Sequence, residues 1–295
     1  MRIVVASGKG GTGKTTIATS LALALGDRPV LFLDCDVEAP NAHLILKPDL
    51  VLRQQVGRLV PSVDEARCTG CGRCTEVCRY HAMAALGGRV LIFPELCHGC
   101  GSCMMNCPEA ALDEHMRVIG ELEAGSTPTG IAFARGVLRV GEPSASPVIR
   151  QLKKWAVTAE VYPQASAPGT VEVRDAPPGT SCPVVETLRG ADFALLVSEP
   201  TPFGLHDLRL IAELVREMNI PAGVIINRDM ASDGALERFC ADADLPILMR
   251  IPLERDIGQA LAAGQPLIAV RPAYATALRD LFEHIQQLET RSITV

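Results

Sequence analysis

Gly8-Lys9-Gly10-Gly11-Thr12-Gly13-Lys14-Thr15 fits the pattern G-x-x-x-x-G-K-[ST], and its flanks decide how it is read. Ile3-Val4-Val5-Ala6 before it is a short apolar run, the signature of a buried parallel strand. After it, Ile17, Leu21 and Leu25 recur at helical spacing over 15–25, and Gly26 ends the pattern. A strand, a glycine-rich turn and a helix in that order aim several backbone N–H groups and a helix N-terminus at one point. That point suits a phosphate. Lys14 is then placed to reach the β- and γ-phosphates of a nucleotide, and the Thr15 hydroxyl to bind Mg²⁺.

Further on, Val30-Leu31-Phe32-Leu33 is a second buried strand whose end carries Asp34 and Asp36. From 61 to 117 the texture becomes cysteine-dense and glycine-studded, without sustained periodicity, which reads as an inserted module. The stretch 119–168 is rich in Gly, Pro and Ser and carries a weak helical pattern over 148–162. From Val171 the alternation resumes, with strands expected at 171–173, 193–197, 223–226 and 247–251. Helices are expected at 205–218, 234–241, 257–263 and 273–288. Strands alternating with helices imply an α/β protein with a mostly parallel sheet and helices on both faces. The expected organisation is 1–60 as the first part of this domain, 61–117 as the insert, and 118–295 as the second part.

Eight of the eleven cysteines form two runs, Cys68-x₂-Cys71-x₂-Cys74-x₃-Cys78 and Cys97-x₂-Cys100-x₂-Cys103-x₃-Cys107-Pro108. This rhythm is that of two-cluster ferredoxins, in which each run gives three ligands to one 4Fe–4S cluster and its fourth to the other. One cluster is therefore expected on Cys68, Cys71, Cys74 and Cys107, and the second on Cys97, Cys100, Cys103 and Cys78. Zinc is the competing ligand for such pairs. The first run has Arg79 where proline is usual, so altered local geometry is expected there. Cys240 reads as a small core residue. For Cys182, packing stands ahead of a redox or metal role.

Composition narrows the function. The chain has 295 residues, 48% of them apolar and 21% charged, with a formal charge of −6. That balance argues against a general nucleic-acid binder or a basic membrane-surface protein. With one Trp, three Tyr and seven Phe, platforms for stacking bases are not expected either. No apolar run reaches the roughly 18 residues that span a bilayer, and Met1-Arg2-Ile3-Val4-Val5 leads straight into the loop without an export signal. A cytoplasmic protein without stable membrane insertion is expected.

Lys9, a second lysine inside the loop, makes Lys-Gly-Gly-Thr-Gly-Lys-Thr-Thr resemble the deviant Walker A box of the MinD/ParA/Mrp superfamily, which includes the nitrogenase iron protein. The order of motifs resembles members of that superfamily that carry an inserted two-cluster ferredoxin domain. The resemblance implies a P-loop NTPase sheet plus a small α+β, bacterial-ferredoxin-like insert. It also implies binding of ATP or ADP with Mg²⁺, ATP hydrolysis, and a nucleotide-sandwich dimer with itself or a paralogue. Gly8, Lys9, Gly10, Gly11, Thr12, Gly13, Lys14, Thr15 and Thr16 would hold the nucleotide. Lys9 and Lys14 would neutralise phosphate charge, Lys9 in the partner's site; a solvated loop lysine is the alternative for Lys9. Asp36 matches the switch I aspartate that positions the attacking water near Mg²⁺. Asp175, opening Asp-Ala-Pro-Pro-Gly-Thr, resembles the Walker B and switch II aspartate, and the Gly179 N–H would sense the γ-phosphate. Asn227 and Pro252 match positions that contact the base, Asn227 being otherwise a turn residue.

Two departures from the superfamily are visible. No C-x-x-C pair lies outside 61–117, so the bridging cluster of Mrp-type carriers has no obvious ligands. The last amphipathic helix carries Asp280, Glu283 and Glu289, unlike a membrane-targeting tail, and is expected to pack on the core. Three functions follow from the resemblance: ATP-gated electron transfer to a redox partner, assembly or delivery of a metallocluster to a partner, and ParA-like positioning with a redox-sensing insert.

Overall fold

Ile3, Val4, Val5 and Ala6 have no exposed surface, and their side chains divide alternately between two cores. Ile3 and Val5 join one hydrophobic cluster, Val4 and Ala6 another, as a pleat buried on both sides requires. The computed structural model describes residues 1–292 other than 166 and 231–233. The chain opens with β1 (Arg2–Ala6), α1 (Lys14–Ala24), β2 (Val30–Asp34), α2 (Ala42–Leu46) and β3 (Asp49–Val63). The cysteine-bearing stretch holds α3 (Arg73–Val77), β4 (Met83–Leu86), β5 (Arg89–Ile92) and α4 (Ser102–Met105). There follow β6 (Leu112–Ser126), β7 (Ala132–Leu138), α5 (Ser146–Trp155), β8 (Val171–Asp175), α6 (Cys182–Leu188) and β9 (Phe193–Ser198). The chain continues with α7 (Pro202–Glu217), β10 (Ala222–Asp229), α8 (Ala235–Asp242), β11 (Ile247–Pro252), α9 (Arg255–Ala262), α10 (Leu267–Val270) and α11 (Ala273–Ser292).

The main sheet has the order β11-β10-β9-β1-β8-β2-β7-β6-β3. Every pairing from β11 to β7 is parallel, and β6 runs antiparallel to both of its neighbours. One face is covered by α1 and α11, through Ile17, Leu21, Leu278, Phe282 and Ile285. The other is covered by α7 and α8, through Leu208, Ile211 and Leu236, with α5 laying Ile149 and Leu152 over β2 and β6. The expected α/β architecture is therefore present, and the last helix packs on the core as read. Each fully buried Leu, Ile or Phe contributes roughly 1.5–3 kcal/mol.

The stretch 47–60 had no assignment from sequence, and 119–168 only a weak helix. The structure puts a long antiparallel ribbon there, β3 against β6, with Val63 paired to Leu112 at its far end. Residues 64–111, with all eight clustered cysteines, connect the two strands at that end. The boundaries expected at 61 and 117 thus fall inside β3 and β6. Gly125 shows why the ribbon needs glycine. A Cβ there would stand 1.7 Å from the Asp49 carbonyl oxygen and 3.1 Å from the Leu50 Cα, both backbone atoms with nowhere to move. Gly125→Ala should therefore pry β3 from β6 and destabilise the protein by about 2 kcal/mol. Thermal unfolding would show this as a lowered midpoint.

Candidate functional site

Gly13 has φ 92° and is the N-cap of α1; a Cβ there would lie 2.4 Å from Asn227 Nδ2. Gly8 is as tightly confined, with the Asp207 carbonyl oxygen 2.1 Å from where its Cβ would be. Only glycine allows the loop to lie this close to α7 and to the end of β10. The loop borders a cavity of about 430 Å³, within the range of small-ligand pockets. Gly10, Gly11, Gly13, Lys14, Thr15, Thr16, Asp36, Asn227 and Pro252 line it, so most residues singled out by motif are brought together. Asn41, Arg228, Ile257 and Leu261 line it as well, and sequence reasoning missed them. Ile257 and Leu261, four apart on α9, were a legible helical stripe; nothing in the sequence tied that stripe to the loop.

The remaining candidates sit around the cavity without lining it. Thr12 is buried, and its carbonyl accepts a hydrogen bond from Asn227 Nδ2 at 2.7 Å. Asn227 thus braces the loop here, besides bordering the expected base region. Gly179 N–H donates to the Ser7 carbonyl at 3.0 Å, linking the segment after β8 to the loop. Lys9 Nζ lies 3.3 Å from Glu199, whose other oxygen accepts from Arg228 at 2.6 Å. Lys9 is therefore a partly exposed loop lysine paired within its own chain.

Three carboxylates crowd the ends of β2 and β8. Thr15 Oγ1 donates to Asp175 Oδ2 at 2.5 Å, while Asp175 Oδ1 is buried with no hydrogen-bond partner. Burial pushes the Asp175 carboxyl up to about 7, against the Thr15 hydrogen bond and the Lys14 charge. Asp34 has no exposed surface and accepts from the backbone N–H groups of Asp36, Asn41 and Ala42 at 3.2, 3.0 and 3.0 Å. Burial, then the neighbouring Asp175, hold its carboxyl well above the usual range. Asp36 is raised too, by burial, with Lys14 opposing. An orphaned carboxylate oxygen, a hydroxyl and two further acids beside one buried ammonium make a donor set that fits a hard divalent cation such as Mg²⁺.

The eight cysteines are gathered in two sets of four. Cys68, Cys71, Cys74 and Cys107 line one small cavity, and Cys78, Cys97, Cys100 and Cys103 line another. Gly72 and Gly101, both left-handed, cap α3 and α4 in equivalent positions. The two four-residue turns also match. His81 and Ala110 N–H donate to the carbonyls of Cys78 and Cys107, both at 3.3 Å, and each has positive φ. Ala82 and Ala111 N–H then donate to the Sγ atoms of the same cysteines, again both at 3.3 Å. The altered geometry expected at Arg79 is therefore absent. The bonds that make the turn come from the residues three and four after the cysteine, so a proline directly after it is dispensable. Of the other cysteines, Cys240 and Cys35 are buried, their thiols raised to about 11 and about 12 by burial. Cys182 is exposed at the start of α6, which removes the packing role read for it.

Because Asp175 has its folded-state pKa raised, burial favours its protonated form, and the unfavourable ionised form is reached as pH rises from about 4 to about 7. Asp175→Asn cannot ionise. In metal-free, nucleotide-free protein its stability should gain on wild type across that pH window by an amount on the order of a few kcal/mol, and level off above it. Thermal unfolding of both proteins from pH 4 to 8 measures the difference.

No helix among the described residues is long and apolar enough to cross a membrane. An uncharacterised protein of Methanocaldococcus jannaschii is 30% identical over 235 residues, 79% of this chain and 82% of its own. A cytosolic Fe-S cluster assembly factor, the NUBP1 homologue of Caenorhabditis briggsae, is 26% identical over 311 residues, 97% of this chain and 80% of its own. Among solved structures, the septum site-determining protein MinD from Pyrococcus horikoshii, complexed with Mg-ADP, superposes with a TM-score of 0.56. That pair covers 97% of this chain and 96% of the other at 19% identity, a likeness of fold alone. The nucleotide-binding domain of CobQ, CobB, MinD and ParA matches residues 3–267, and the chain belongs to that family.

Proposed function

We propose that this protein is a dimeric Mg-ATPase whose nucleotide cycle is coupled to two 4Fe–4S clusters held by its cysteine-bearing segment, and that ATP gates electron transfer to a protein partner. What carries this is the gathering of eight cysteines around two cavities, four to each, on a chain that also has a cavity bordered by a phosphate loop.

Lys14 and the loop amides hold the phosphates, while Thr15, with Asp175 behind it, offers the oxygen set for Mg²⁺. Asp36 faces the same cavity and orients the attacking water; burial raises its carboxyl and so improves its basicity. Lys9 supplies charge across the dimer once its pair with Glu199 opens. In the other half of the molecule the clusters supply one-electron chemistry. Amide donors to Cys78 and Cys107 fit thiolates that carry negative charge.

Cluster assembly is a second reading, favoured by the likeness to the NUBP1 homologue. Against it stands the lack of any C-x-x-C pair outside the cysteine-bearing segment. Clusters that pass rapidly to an apo-acceptor protein would favour assembly; stable, reversibly reducible clusters favour gated transfer.

Protein purified without oxygen should hold about eight iron and eight sulfide per chain, four of each in two cubanes. Stoichiometric zinc without broad visible absorption would refute the cluster assignment. In the nucleotide site, Lys14→Ala should abolish ATP binding, whereas Asp36→Ala should bind ATP yet hydrolyse it slower by orders of magnitude. Binding isotherms and phosphate release on the two variants separate these outcomes.

A further inference from the structure

The two cysteine cavities have matching turns and unlike electrostatic surroundings. Arg58, on β3, is buried, and its guanidinium donates to the Pro94 carbonyl at 3.1 Å. The same nitrogen lies 3.4 Å from the carboxylate of Glu142, in the loop between β7 and α5. Its aliphatic stem lies directly behind the 97–99 segment: a Cβ on Gly99 would meet Arg58 Cγ at 2.8 Å and Cδ at 3.4 Å. Arg58 Nε, next along that stem, is buried with no protein acceptor. Glu142 is itself 5% exposed and also takes Arg117 at 2.9 Å. Two arginines therefore share one buried carboxylate behind the wall that carries Cys97 and Cys100; Arg117's other partner, Glu95, is 62% exposed.

The balance beside the other cavity is reversed. Arg67, next to Cys68, is 43% exposed and pairs with both Asp64 at 2.6 Å and Asp113 at 2.8 Å. Arg73 and Glu76, also near it, are exposed and paired with each other. The exposed Glu114 and Glu109, one at each cavity, offset one another in the comparison. Solvent and salt screen the exposed pairs, whereas buried charge acts through a lower effective dielectric. Among the described residues, two arginines thus face one buried carboxylate behind the first cavity, whereas acids outnumber arginines beside the second.

We propose that Arg58 is a positioning and tuning residue: it fixes the 97–99 segment, and its charge raises the reduction potential of the cluster on Cys78, Cys97, Cys100 and Cys103 above that of the other. This rests on the two-cluster reading. The step it biases is uptake of one electron from a low-potential protein donor, with no bond made or broken. The added negative charge is stabilised most where a buried cation is least compensated.

The test is a dithionite titration of the anaerobic full-length protein, followed by electron paramagnetic resonance, alongside an iron count. Wild type should show two separate midpoints. Arg58→Met should lower only the higher one, by about tenfold in the reduction equilibrium, or about 59 mV for one electron. Arg58→Lys should keep most of the wild-type value, and Glu142→Gln should move the same midpoint upward. Arg67→Met should leave both in place. A merely structural role would not give opposite signs for Arg58→Met and Glu142→Gln. With eight irons present, midpoints that stay put, or shift in the same direction in both variants, overturn the role of Arg58 alone. Absence of iron from wild type overturns the cluster reading along with it.

Discussion

The hydrogen bond from Thr15 to Asp175 joins the two halves of the nucleotide site, and most of the surrounding geometry follows from it. Thr15 begins α1, directly after the loop, while Asp175 ends β8. In the sheet β8 lies between β1 and β2, with Asp175 in register with both Val5 and Asp34. A carboxylate there meets the loop on one side and the acidic end of β2 on the other. Such burial is costly, and the backbone holds it in place regardless. Cys35 N–H donates to the Asp175 carbonyl at 2.9 Å, and Ala176 N–H to the Val5 carbonyl at 3.0 Å. Local rules are broken at this strand end because the sheet over-determines it, as is common where a protein meets its ligand.

Asp34 extends the same constraint outward. One buried carboxylate takes N–H groups from Asp36, Asn41 and Ala42, so it holds both ends of the loop that carries Asp36. Ala42 opens α2, a helix of five residues, and β3 begins at Asp49, just after the left-handed Lys47. The Asp36 loop and the strand leading to the cysteines are therefore joined by one short, tightly bonded path. The ribbon beyond is braced by Glu123 on β6, which pairs with Arg53 on β3 at 3.2 Å and with Arg135 on β7 at 2.6 Å.

How much of this was legible depends on burial. The strands β1, β2 and β8 to β11 read correctly because both faces are covered and the apolar run is continuous. The helices α1, α7, α8, α9 and α11 read correctly because one face is apolar at helical spacing. The ribbon did not. Its strands carry Arg53-Gln54-Gln55 and Asp113-Glu114-His115 on largely exposed backbone, so no period of two survives. Gly120 and Gly125 read as breakers, yet both lie within β6 because a neighbouring backbone comes too close for a side chain. In the site, the loop residues, Asp36 and Asp175 were visible as motifs. Asn41 and Arg228 were not, since only the fold brings them to the cavity.

The cysteine-bearing segment carries the contrast one step further. Its cysteine spacing was visible in the sequence, and in the structure four of the eight cysteines line each of two cavities. The one irregularity visible in the sequence, Arg79 in place of proline, leaves the turn unchanged, because Ala82 reaches Cys78 Sγ at the same 3.3 Å as Ala111 reaches Cys107 Sγ. Difference between the halves has to come from outside the repeat. β3 and the loop after β7 place the buried pair Arg58 and Glu142 behind one cavity, while the ion pairs described beside the other are exposed. A repeated motif sets equal turn geometry; the domain it is mounted on surrounds the two turns with different charges, which no spacing of cysteines encodes.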